Sequence, residues 1–317
     1  MSSRPLPASI SRLLRDELEG GYLRQDEPLG RHSQFGVGGP ADWYWEPVRP
    51  ELLPELVGRA REEMLPLLVL GAGSNCLIRD GGIRGLVLKF PARRATRLEG
   101  GGVLLTAGAM LPRAAFDTAY WGLRGLAFGV GIPGTLGAAA AGNAGAFGGE
   151  MAQVLEEVEV VLPDGRRQRL PVEGLEAGYR RTSLQRGPME GAVVTWGRLR
   201  LEPSSPELAK AEVHRVMRER KRSQPTGVRS LGSTFKNPVG TTAGRLIEEA
   251  GLKGLRRGQA QVSEAHANFI CNLGGATSGE VLALIALIRQ RVRQRCGVEL
   301  ELEVIPVGGP VLRPRPS

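Results

Sequence analysis

Residues 131–150 read G-I-P-G-T-L-G-A-A-A-A-G-N-A-G-A-F-G-G-E, and this stretch constrains the architecture more strongly than any other. Bulkier side chains fill ordinary cores, so a long run of glycine and alanine predicts a backbone that lies against a large flat or elongated cofactor. Pro133 predicts the start of a helix, with the N–H groups of Gly134 and Thr135 at its positive end. Close helix packing is the alternative, because glycine and alanine also favour it.

A second glycine cluster, G-A-G-S-N at 71–75, follows a predicted buried strand at 65–70. Its small side chains leave successive backbone N–H groups able to converge on an anion, as they do around pyrophosphates. The cluster does not match the dinucleotide fingerprint G-x-G-x-x-G, because Cys76 stands where the third glycine belongs. A hydride-carrying enzyme built from two βαβ units is therefore disfavoured.

Strands and helices alternate along the chain, which predicts an α+β or α/β protein. A long charged helix is expected at 206–223, after the linker-like sequence E-P-S-S-P at 202–206. The alternating sequence E-L-E-L-E-V at 299–304 predicts the last strand. The other predicted helices span 9–19, 50–63, 111–121, 242–251 and 278–295, and further predicted strands include 42–48, 85–90, 102–107, 154–162 and 166–170.

Bulk composition narrows the class of protein. The chain has 317 residues and three cysteines, Cys76, Cys271 and Cys296, which are widely spaced and form no C-x-x-C pair. This pattern argues against a disulfide framework and against a zinc site. No window reaches the run of about 18 apolar residues that a membrane span needs, and the N-terminus lacks the apolar core of a signal peptide. We therefore expect a cytoplasmic protein with no metal site and no membrane insertion.

The formal net charge of +9 raises the question of an anionic partner. The positive charge is spread over the whole chain and few aromatic residues interleave with it, so we expect no nucleic-acid partner. A phosphorylated or carboxylated small substrate is compatible with the charge. A basic nucleic-acid-binding protein stays as an alternative, and it predicts a colourless preparation with an affinity that falls steeply with salt.

Besides the two glycine clusters, the chain contains V-G-G-P-A-D at 37–42, Y-R-R-T-S-L-Q at 179–185, R-K-R-S-Q-P at 220–225, G-S-T-F-K-N-P at 232–238, L-I-E-E-A-G-L-K-G at 246–254, A-Q-V-S-E-A-H-A-N-F at 260–269 and L-E-L-E-V at 300–304. Together these motifs resemble the UDP-N-acetylenolpyruvoylglucosamine reductase family over nearly the whole chain. The short spacing between Tyr179 and the linker resembles the shorter of the family's two subtypes, which lacks an extra substrate-covering loop. Gly142, Thr182 and Arg229 depart from the residues that are usual in the family.

The resemblance implies an α+β protein with an FAD-binding fold of the PCMH/vanillyl-alcohol-oxidase type in two lobes, plus a C-terminal α+β substrate domain. It places the first lobe at 1–90, joined by a C-terminal strand at 299–310. The second lobe spans 91–203 and the substrate domain 206–298. Residues 311–317 are expected to form a disordered tail, and the protein is expected to be a monomer.

The family reaction reduces the enolpyruvyl group of UDP-N-acetylglucosamine-enolpyruvate to UDP-N-acetylmuramate for peptidoglycan, with FAD as cofactor and NADPH as reductant. A flavin oxidase on the same fold is the alternative among flavoproteins, and it predicts rapid reoxidation by air without dependence on a UDP-sugar. By resemblance, the FAD-binding residues are Gly71, Ala72, Gly73, Ser74, Asn75, Gly131, Ile132, Pro133, Gly134, Thr135, Gly137, Asn143, Ala144 and Gly145.

Three catalytic residues are carried over by resemblance. Ser233 is the proton donor to the carbon α to the substrate carboxylate, a general-acid role that needs no histidine. Arg180 matches the catalytic arginine, whose fixed charge suits a carboxylate on which negative charge develops. Glu303 matches the catalytic glutamate, and since an ionised carboxylate would repel that of the substrate, we expect it to be protonated or hydrogen-bonded to Arg180. Taken without the family, the three are an ordinary turn serine, a surface arginine and an exposed strand glutamate.

The resemblance also implies contacts to the UDP-sugar. Lys221 suits a point-charge contact to the diphosphate, although Arg220 or Arg222 can take its place. Lys236 is expected to ease the transient alkoxide of Ser233. The full set of implied substrate-binding residues is Tyr179, Lys221, Lys236, Asn237 and Gln261.

Overall fold

The computed structural model describes residues 4–309, which form three groups of strands and helices. The predicted tail at 311–317 and the last residue of the predicted strand at 299–310 lie outside the described residues. Within residues 4–309, no helix is long and apolar enough to cross a membrane.

The first lobe is built on a four-stranded sheet in the order β1-β2-β5-β3, in which β1 and β2 are antiparallel and the other pairs are parallel. Side chains of Trp45, Leu56 and Leu86 are buried between one face of this sheet and the helices. Its elements are α1 (Ala8–Leu13), α2 (Arg15–Glu19), β1 (Leu23–Pro28), β2 (Pro40–Trp45), α3 (Leu53–Glu62), β3 (Leu67–Val69), β4 (Cys76–Ile78) and β5 (Ile83–Leu88).

Three predictions for this lobe need correction. The helix predicted at 9–19 is two short helices that meet at Leu14, and the helix predicted at 50–63 opens with a 3₁₀ turn at Pro50–Leu52. The strand predicted as buried at 65–70 is only Leu67–Val69, and Val69 is exposed. β3 is at the edge of the sheet, and within residues 4–309 only β5 pairs with it.

The second lobe holds a five-stranded sheet in the order β12-β11-β13-β7-β6, in which every pairing is antiparallel. β11 and β12 form the hairpin predicted for 154–170. The elements are β6 (Thr96–Arg97), β7 (Gly102–Thr106), α4 (Leu111–Tyr120), β8 (Leu123–Arg124), α5 (Leu136–Ala141), β9 (Gly145–Ala146), β10 (Gly149–Glu150), β11 (Leu155–Val161), β12 (Arg167–Pro171), β13 (Val193–Arg200), β14 (Glu202–Pro203) and α6 (Pro206–Ser223).

Helix α6 has the predicted bounds 206–223 but packs in the second lobe, whereas the predicted boundary at 206 assigned it to the substrate domain. Ala209, Val213 and Val216 recur at helical spacing, so they form one apolar face, and they are buried in the same core as α4. The first two residues of the predicted linker pair with β8 as β14. The chain therefore leaves the second lobe after α6.

The third group contains a four-stranded sheet in the order β15-β18-β17-β16 and the long helix α8. α8 begins with a capping box formed by Thr277 and Glu280. Its core continues into the first lobe, because Phe35 and Leu77 are buried in the same cluster as the apolar face of α8. The elements are β15 (Arg229–Ser233), α7 (Ala243–Glu249), β16 (Arg256–Arg257), β17 (Ala260–Val262), β18 (Phe269–Asn272) and α8 (Ser278–Cys296).

The strand predicted at 299–304 is wrong, because the last strand is β19 (Ile305–Val307), which pairs in parallel with β4. The alternation of glutamate with apolar residues does predict burial correctly at two positions, because Leu300 and Val304 are buried. Residues 299–304 nevertheless form only one isolated bridge, between Leu302 and Phe235. The backbone bonds of this segment to Thr234 and Lys236 involve residues 301, 303 and 304 and do not continue as a ladder.

Candidate active site

The loop at 71–75 offers a series of free backbone donors. Its five residues form consecutive bends between β3 and β4. In the part of the chain that the structure describes, none of their N–H groups donates a hydrogen bond to a protein acceptor. Free amides in such a bend suit the phosphates of a cofactor, so this loop fits the predicted role.

The start of the 131–145 segment differs from the prediction. The helix begins at Leu136 with Thr135 as its N-cap, so Pro133 lies before the helix rather than in its first turn. The N–H of Gly134 donates to Ile132 O at 2.7 Å and that of Gly137 to Ala107 O at 2.9 Å. Because these amides have partners inside the protein, the predicted N–H of Gly134 at the helix end is not free.

The two glycine clusters meet. A Cβ on Gly71 would lie 2.7 Å from Thr135 Oγ1, so only glycine allows this approach. Both clusters line one cavity of about 100 Å³, together with Val69 and Phe90. Exposed Val69 in β3 therefore belongs to the wall of this cavity.

Asn143 is buried and has a structural part in this region. Its φ is +43°, its Nδ2 donates to Gly178 O at 3.0 Å, and its Oδ1 accepts from Ala152 N at 2.9 Å. The side chain therefore holds Gly178, the first residue of the turn that contains Arg180. The N–H of Ala144 also has an internal acceptor, Ala139 O at 2.8 Å.

Arg180 has a left-handed backbone, with φ +55°. It is the second central residue of a tight turn in which Gly178 and Arg181 exchange both backbone hydrogen bonds. That position favours glycine, and a residue with a Cβ pays about 1–2 kcal/mol there. An arginine kept in this conformation indicates a site at which side-chain direction matters more than local stability.

The guanidinium of Arg180 has two fixed contacts. Nε donates to Glu303 Oε1 at 2.7 Å and Nη2 donates to Gly145 O at 2.6 Å. The side chains of Arg180 and Glu303 are 24% and 16% exposed, so the pair is largely withdrawn from solvent. Within residues 4–309, Nη1 has no protein acceptor, which leaves one end of the guanidinium for a carboxylate.

Ser233 is the last residue of β15, and the structure places it at a bulge rather than in a simple turn. The pairing of β15 with β18 shifts register between Ser230 and Ser233, and Gly232 between them has φ +71°. A bulge of this kind redirects the side chain that follows it. Ser233 is half-buried.

Backbone hydrogen bonds bring Ser233 next to Glu303. The carbonyl of Thr234 accepts from the N–H of Glu303 at 3.0 Å and from that of Val304 at 3.3 Å. Thr234 is buried. The structure therefore brings the three predicted catalytic residues into one region, from sequence positions up to 123 residues apart.

One residue that supports this region was missed by the sequence analysis. Asn268 is buried, and its amide both accepts from Phe235 N at 3.0 Å and donates to Phe235 O at 2.8 Å. Its own carbonyl accepts from Thr234 N at 2.8 Å. It thus fixes the segment after Ser233. The motif at 260–269 contained it, but its spacing carried no sign of this contact.

A polar cluster behind the 71–75 loop was also missed. The imidazole of His32 is 2.7 Å from Glu27 Oε1 and 3.1 Å from the hydroxyl of Tyr44. The next residue, Ser33, contacts Gly73 O through its hydroxyl at 3.4 Å. Burial raises the pKa of the Tyr44 hydroxyl, so it stays protonated. These residues come from β1, β2 and the turn between them, and no periodic pattern in the sequence indicates that they lie together.

The predicted substrate residues of the third group mostly have protein partners. The ammonium of Lys236 is paired with the exposed carboxylate of Glu301. Asn237 Oδ1 accepts from Ala243 N at 3.0 Å, and Gln261 Nε2 donates to Gly254 O at 3.2 Å. Asn237 and Gln261 therefore have structural contacts in addition to any contact with a ligand.

The remaining substrate residues lie in the second lobe. Lys221 is exposed in the last turn of α6, whereas Arg220 is half-buried and donates to Val130 O at 2.8 Å, next to the 131–145 segment. Burial lowers the pKa of the Arg220 guanidinium. Tyr179 is 50% exposed, with its ring centre 5.0 Å from the Arg180 guanidinium carbon.

The three departures from the family pattern are accommodated locally. Thr182 Oγ1 donates to Ala141 O at 2.6 Å, so the threonine keeps a hydroxyl contact. A Cβ on Gly142 would make only ordinary contacts. The side chain of Arg229 lies against Gly36. Among residues 4–309, no group of three or more histidine, cysteine, aspartate or glutamate side chains is arranged to hold a metal ion.

Comparison with protein families gives two matches. Residues 224–307 match the C-terminal domain of UDP-N-acetylenolpyruvoylglucosamine reductase. Residues 41–171 match a FAD binding domain. Both glycine clusters lie in the second match, and Ser233 and Glu303 lie in the first.

Individual relatives give the same result. The chain is 43% identical to UDP-N-acetylenolpyruvoylglucosamine reductase 2 of Symbiobacterium thermophilum, covering 95% of this chain and 96% of the relative. It is 46% identical to the reductase of Rubrobacter xylanophilus, covering 90% and 95%. Among solved structures, the reductase (MurB) of Thermus caldophilus matches with a TM-score of 0.76 and 39% identity, covering 90% of this chain and 98% of that one.

Proposed function

The chain belongs to the UDP-N-acetylenolpyruvoylglucosamine reductase family, and from that premise we propose how its residues carry out the reduction. It is an FAD-dependent oxidoreductase of peptidoglycan precursor synthesis. The proposal concerns the reductant, the catalytic residues, the substrate contacts, the cellular location and the oligomeric state. NADPH is the reductant, and the enzyme is a cytoplasmic monomer that binds no nucleic acid.

Residues of the two glycine clusters hold FAD. The free amides at 71–75 would hold its phosphates, and the cavity lined by Gly71, Thr135 and Gly137 would hold another part of the molecule. When bound, FAD supplies the redox chemistry, taking a hydride from NADPH and delivering one to the methylene carbon of the enolpyruvyl group. The rest of the reaction depends on this chain's own residues.

One proton must reach the α carbon of the substrate. Hydride addition breaks the carbon–carbon π bond, and the electron pair moves to the α carbon and its carboxylate. Ser233 Oγ donates its proton to that carbon, which completes the carbon–hydrogen bond. The bulge at Gly232 supports this role, because it redirects the serine at the end of β15.

The carboxylate of the substrate carries part of the developing charge. We place it at the open Nη1 end of Arg180, where a guanidinium holds a carboxylate with good geometry. Glu303 does not compete for this end, because it accepts from Nε on the other edge. The contact of Nη2 with Gly145 O fixes the orientation of the guanidinium relative to the predicted cofactor segment.

The UDP part is held by the cationic and polar residues around this centre. The ion pair of Lys236 with exposed Glu301 stabilises the fold by about 0–1 kcal/mol. A negatively charged ligand can therefore take the place of the Glu301 carboxylate. Lys221 provides an exposed charge for the diphosphate, and half-buried Arg220 provides a second one nearby. Tyr179, Asn237 and Gln261 complete the substrate contacts.

The observation that carries this proposal is the convergence on Arg180. Its guanidinium contacts the carboxylate of Glu303 at 2.7 Å and the carbonyl of Gly145 at 2.6 Å, while its backbone adopts a conformation that costs free energy. A surface arginine has no reason to combine these features. The arrangement is explained by a carboxylate that must be held beside the cofactor.

The test is NADPH oxidation followed at 340 nm by purified holoenzyme, with and without UDP-N-acetylglucosamine-enolpyruvate. The proposal predicts oxidation that requires the enolpyruvyl sugar. Oxidation that proceeds equally in air without the sugar would identify a flavin oxidase instead. A colourless protein whose binding to nucleic acid falls steeply with salt would contradict both.

A further inference from the structure

Asn75, the last residue of the 71–75 loop, is attached to the backbone that carries Glu303. Its side-chain Nδ2 donates to the carbonyl of Glu303 at 3.0 Å. Its own carbonyl accepts from the N–H of Ile305 at 2.9 Å. Asn75 therefore bonds to the backbone on both sides of Val304, although it lies 228 positions before Glu303 in the sequence.

The same hydrogen bonds continue to the proposed proton donor. The N–H groups of Glu303 and Val304 both donate to Thr234 O, at 3.0 and 3.3 Å. Thr234 directly follows Ser233 and is itself anchored to Asn268 O at 2.8 Å. A continuous series of backbone contacts thus connects Asn75 with both Glu303 and Ser233.

We propose that Asn75 is a positioning residue that sets the distance between the cofactor loop and the two residues that act on the substrate. It acts through the backbone of Glu303 and touches neither substrate nor Ser233. Because a displacement of about 1 Å can cost about 100-fold in rate, one side-chain hydrogen bond at this junction affects the protonation step. This inference rests on the proposed function.

A purely structural contact across the same junction is available for comparison. Asp80 lies on the same segment, and its carboxylate accepts from the N–H of Ser278 at 2.9 Å and from that of Gly279 at 3.2 Å, at the start of α8. Asp80 N–H also donates to Ser278 Oγ at 2.9 Å. It joins the first lobe to the third group without contact to Glu303 or Thr234.

The experiment compares Asn75→Ala, Asn75→Asp and Asp80→Asn in the full chain loaded with FAD. Stopped flow follows flavin absorbance in two separate steps, reduction by NADPH and reoxidation by the enolpyruvyl sugar. Kd for FAD and Tm of the FAD-free protein are measured in parallel. Asn75→Asp keeps the size of the side chain and removes its N–H donor, so it remains informative if the alanine variant does not fold.

In enzyme saturated with FAD, we expect both Asn75 variants to slow reoxidation by at least about tenfold, with reduction by NADPH changed by less than about threefold. Asp80→Asn is expected to lower Tm without a selective effect on reoxidation. Equal loss in both steps, or loss explained by weaker FAD binding, would overturn the inference. So would an unchanged rate of reoxidation.

The same measurement on Ser233→Ala separates this inference from the proposed function. If Ser233→Ala is selectively slow in reoxidation and the Asn75 variants are not, only the role of Asn75 fails. If Ser233→Ala reoxidises at the parental rate, the proposed proton donor itself fails, whatever the Asn75 variants do.

Discussion

Arg180 Nε lies 2.7 Å from Oε1 of Glu303, although the two residues are 123 positions apart and belong to different parts of the fold. Arg180 stands in the second lobe and Glu303 in the segment that returns to the first. Through Arg180, the pair also contacts Gly145 O in the second glycine cluster, at 2.6 Å. Of the two arrangements expected for Glu303, protonated or hydrogen-bonded to Arg180, the structure shows the hydrogen bond.

Replacing Glu303 tests that role. Glu303→Gln keeps an oxygen that accepts from Arg180 Nε, so we expect it to retain at least about tenfold more kcat/KM for the enolpyruvyl sugar than Glu303→Ala. The exposed neighbour Glu301→Gln is the matched control and should stay within about twofold of the parent. A Glu303→Gln enzyme as slow as Glu303→Ala would instead indicate that charge or proton transfer by Glu303 is essential.

The backbone of Arg180 makes a separate prediction about stability. Both Arg180→Gly and Arg180→Ala lose the ion pair, but only glycine adopts φ +55° without strain. We expect the free energy of unfolding of Arg180→Gly to exceed that of Arg180→Ala by about 1 kcal/mol in urea titration. Arg181, whose φ is not positive, is the control, and there glycine should be the less stable of the two. Equal stability of the Arg180 variants would argue against a strained turn.

A pH dependence follows from His266. Burial lowers the pKa of its imidazole, and its Nδ1 accepts from the N–H of Asn268 at 3.2 Å, which favours the neutral form. Since the unfolded chain binds this proton more readily, the stabilisation is fully present above the unfolded pKa of about 6.5 and declines as the pH falls below it.

His266→Gln should therefore flatten the loss of Tm between about pH 7 and pH 5, relative to the parent. A His266→Gln protein that loses Tm as steeply as the parent would show that other groups determine the acid limb.

Local sequence patterns predicted an element well where interactions between residues close in sequence determine it. The helix at 206–223 has a serine N-cap, an N-terminal proline and one apolar face, and its bounds are those predicted. The hairpin at 154–170 has its turn in P-D-G. In both cases the determining interactions are within a few residues.

Other features depend on contacts that sequence does not reveal. The alternation at 299–304 predicted burial correctly but not pairing, because this segment bonds to residues 234–236 through a single isolated bridge rather than a ladder. Pro133 resembled a helix start, yet the backbone of 134–137 bonds to residues 107–111 before the helix begins. The packing of α6 in the second lobe depends on α4, which lies far away in the chain.

The family resemblance identified Arg180, Ser233 and Glu303 as site residues, and the structure shows the contacts that position them. The strained turn, the bulge at Gly232 and the contacts of Asn75 and Asn268 are all invisible in a single sequence. Each is a backbone or long-range relationship, and none changes the spacing of the motifs.

Ser233 is the proposed source of the proton, and stopped-flow measurement of the Ser233→Ala enzyme is the decisive test of that role. We expect flavin reduction by NADPH to stay within about twofold of the parent. Reoxidation by UDP-N-acetylglucosamine-enolpyruvate should fall by at least about 100-fold, the usual contribution of a general acid. A Ser233→Ala enzyme that is reoxidised by the enolpyruvyl sugar at the parental rate would contradict the mechanism.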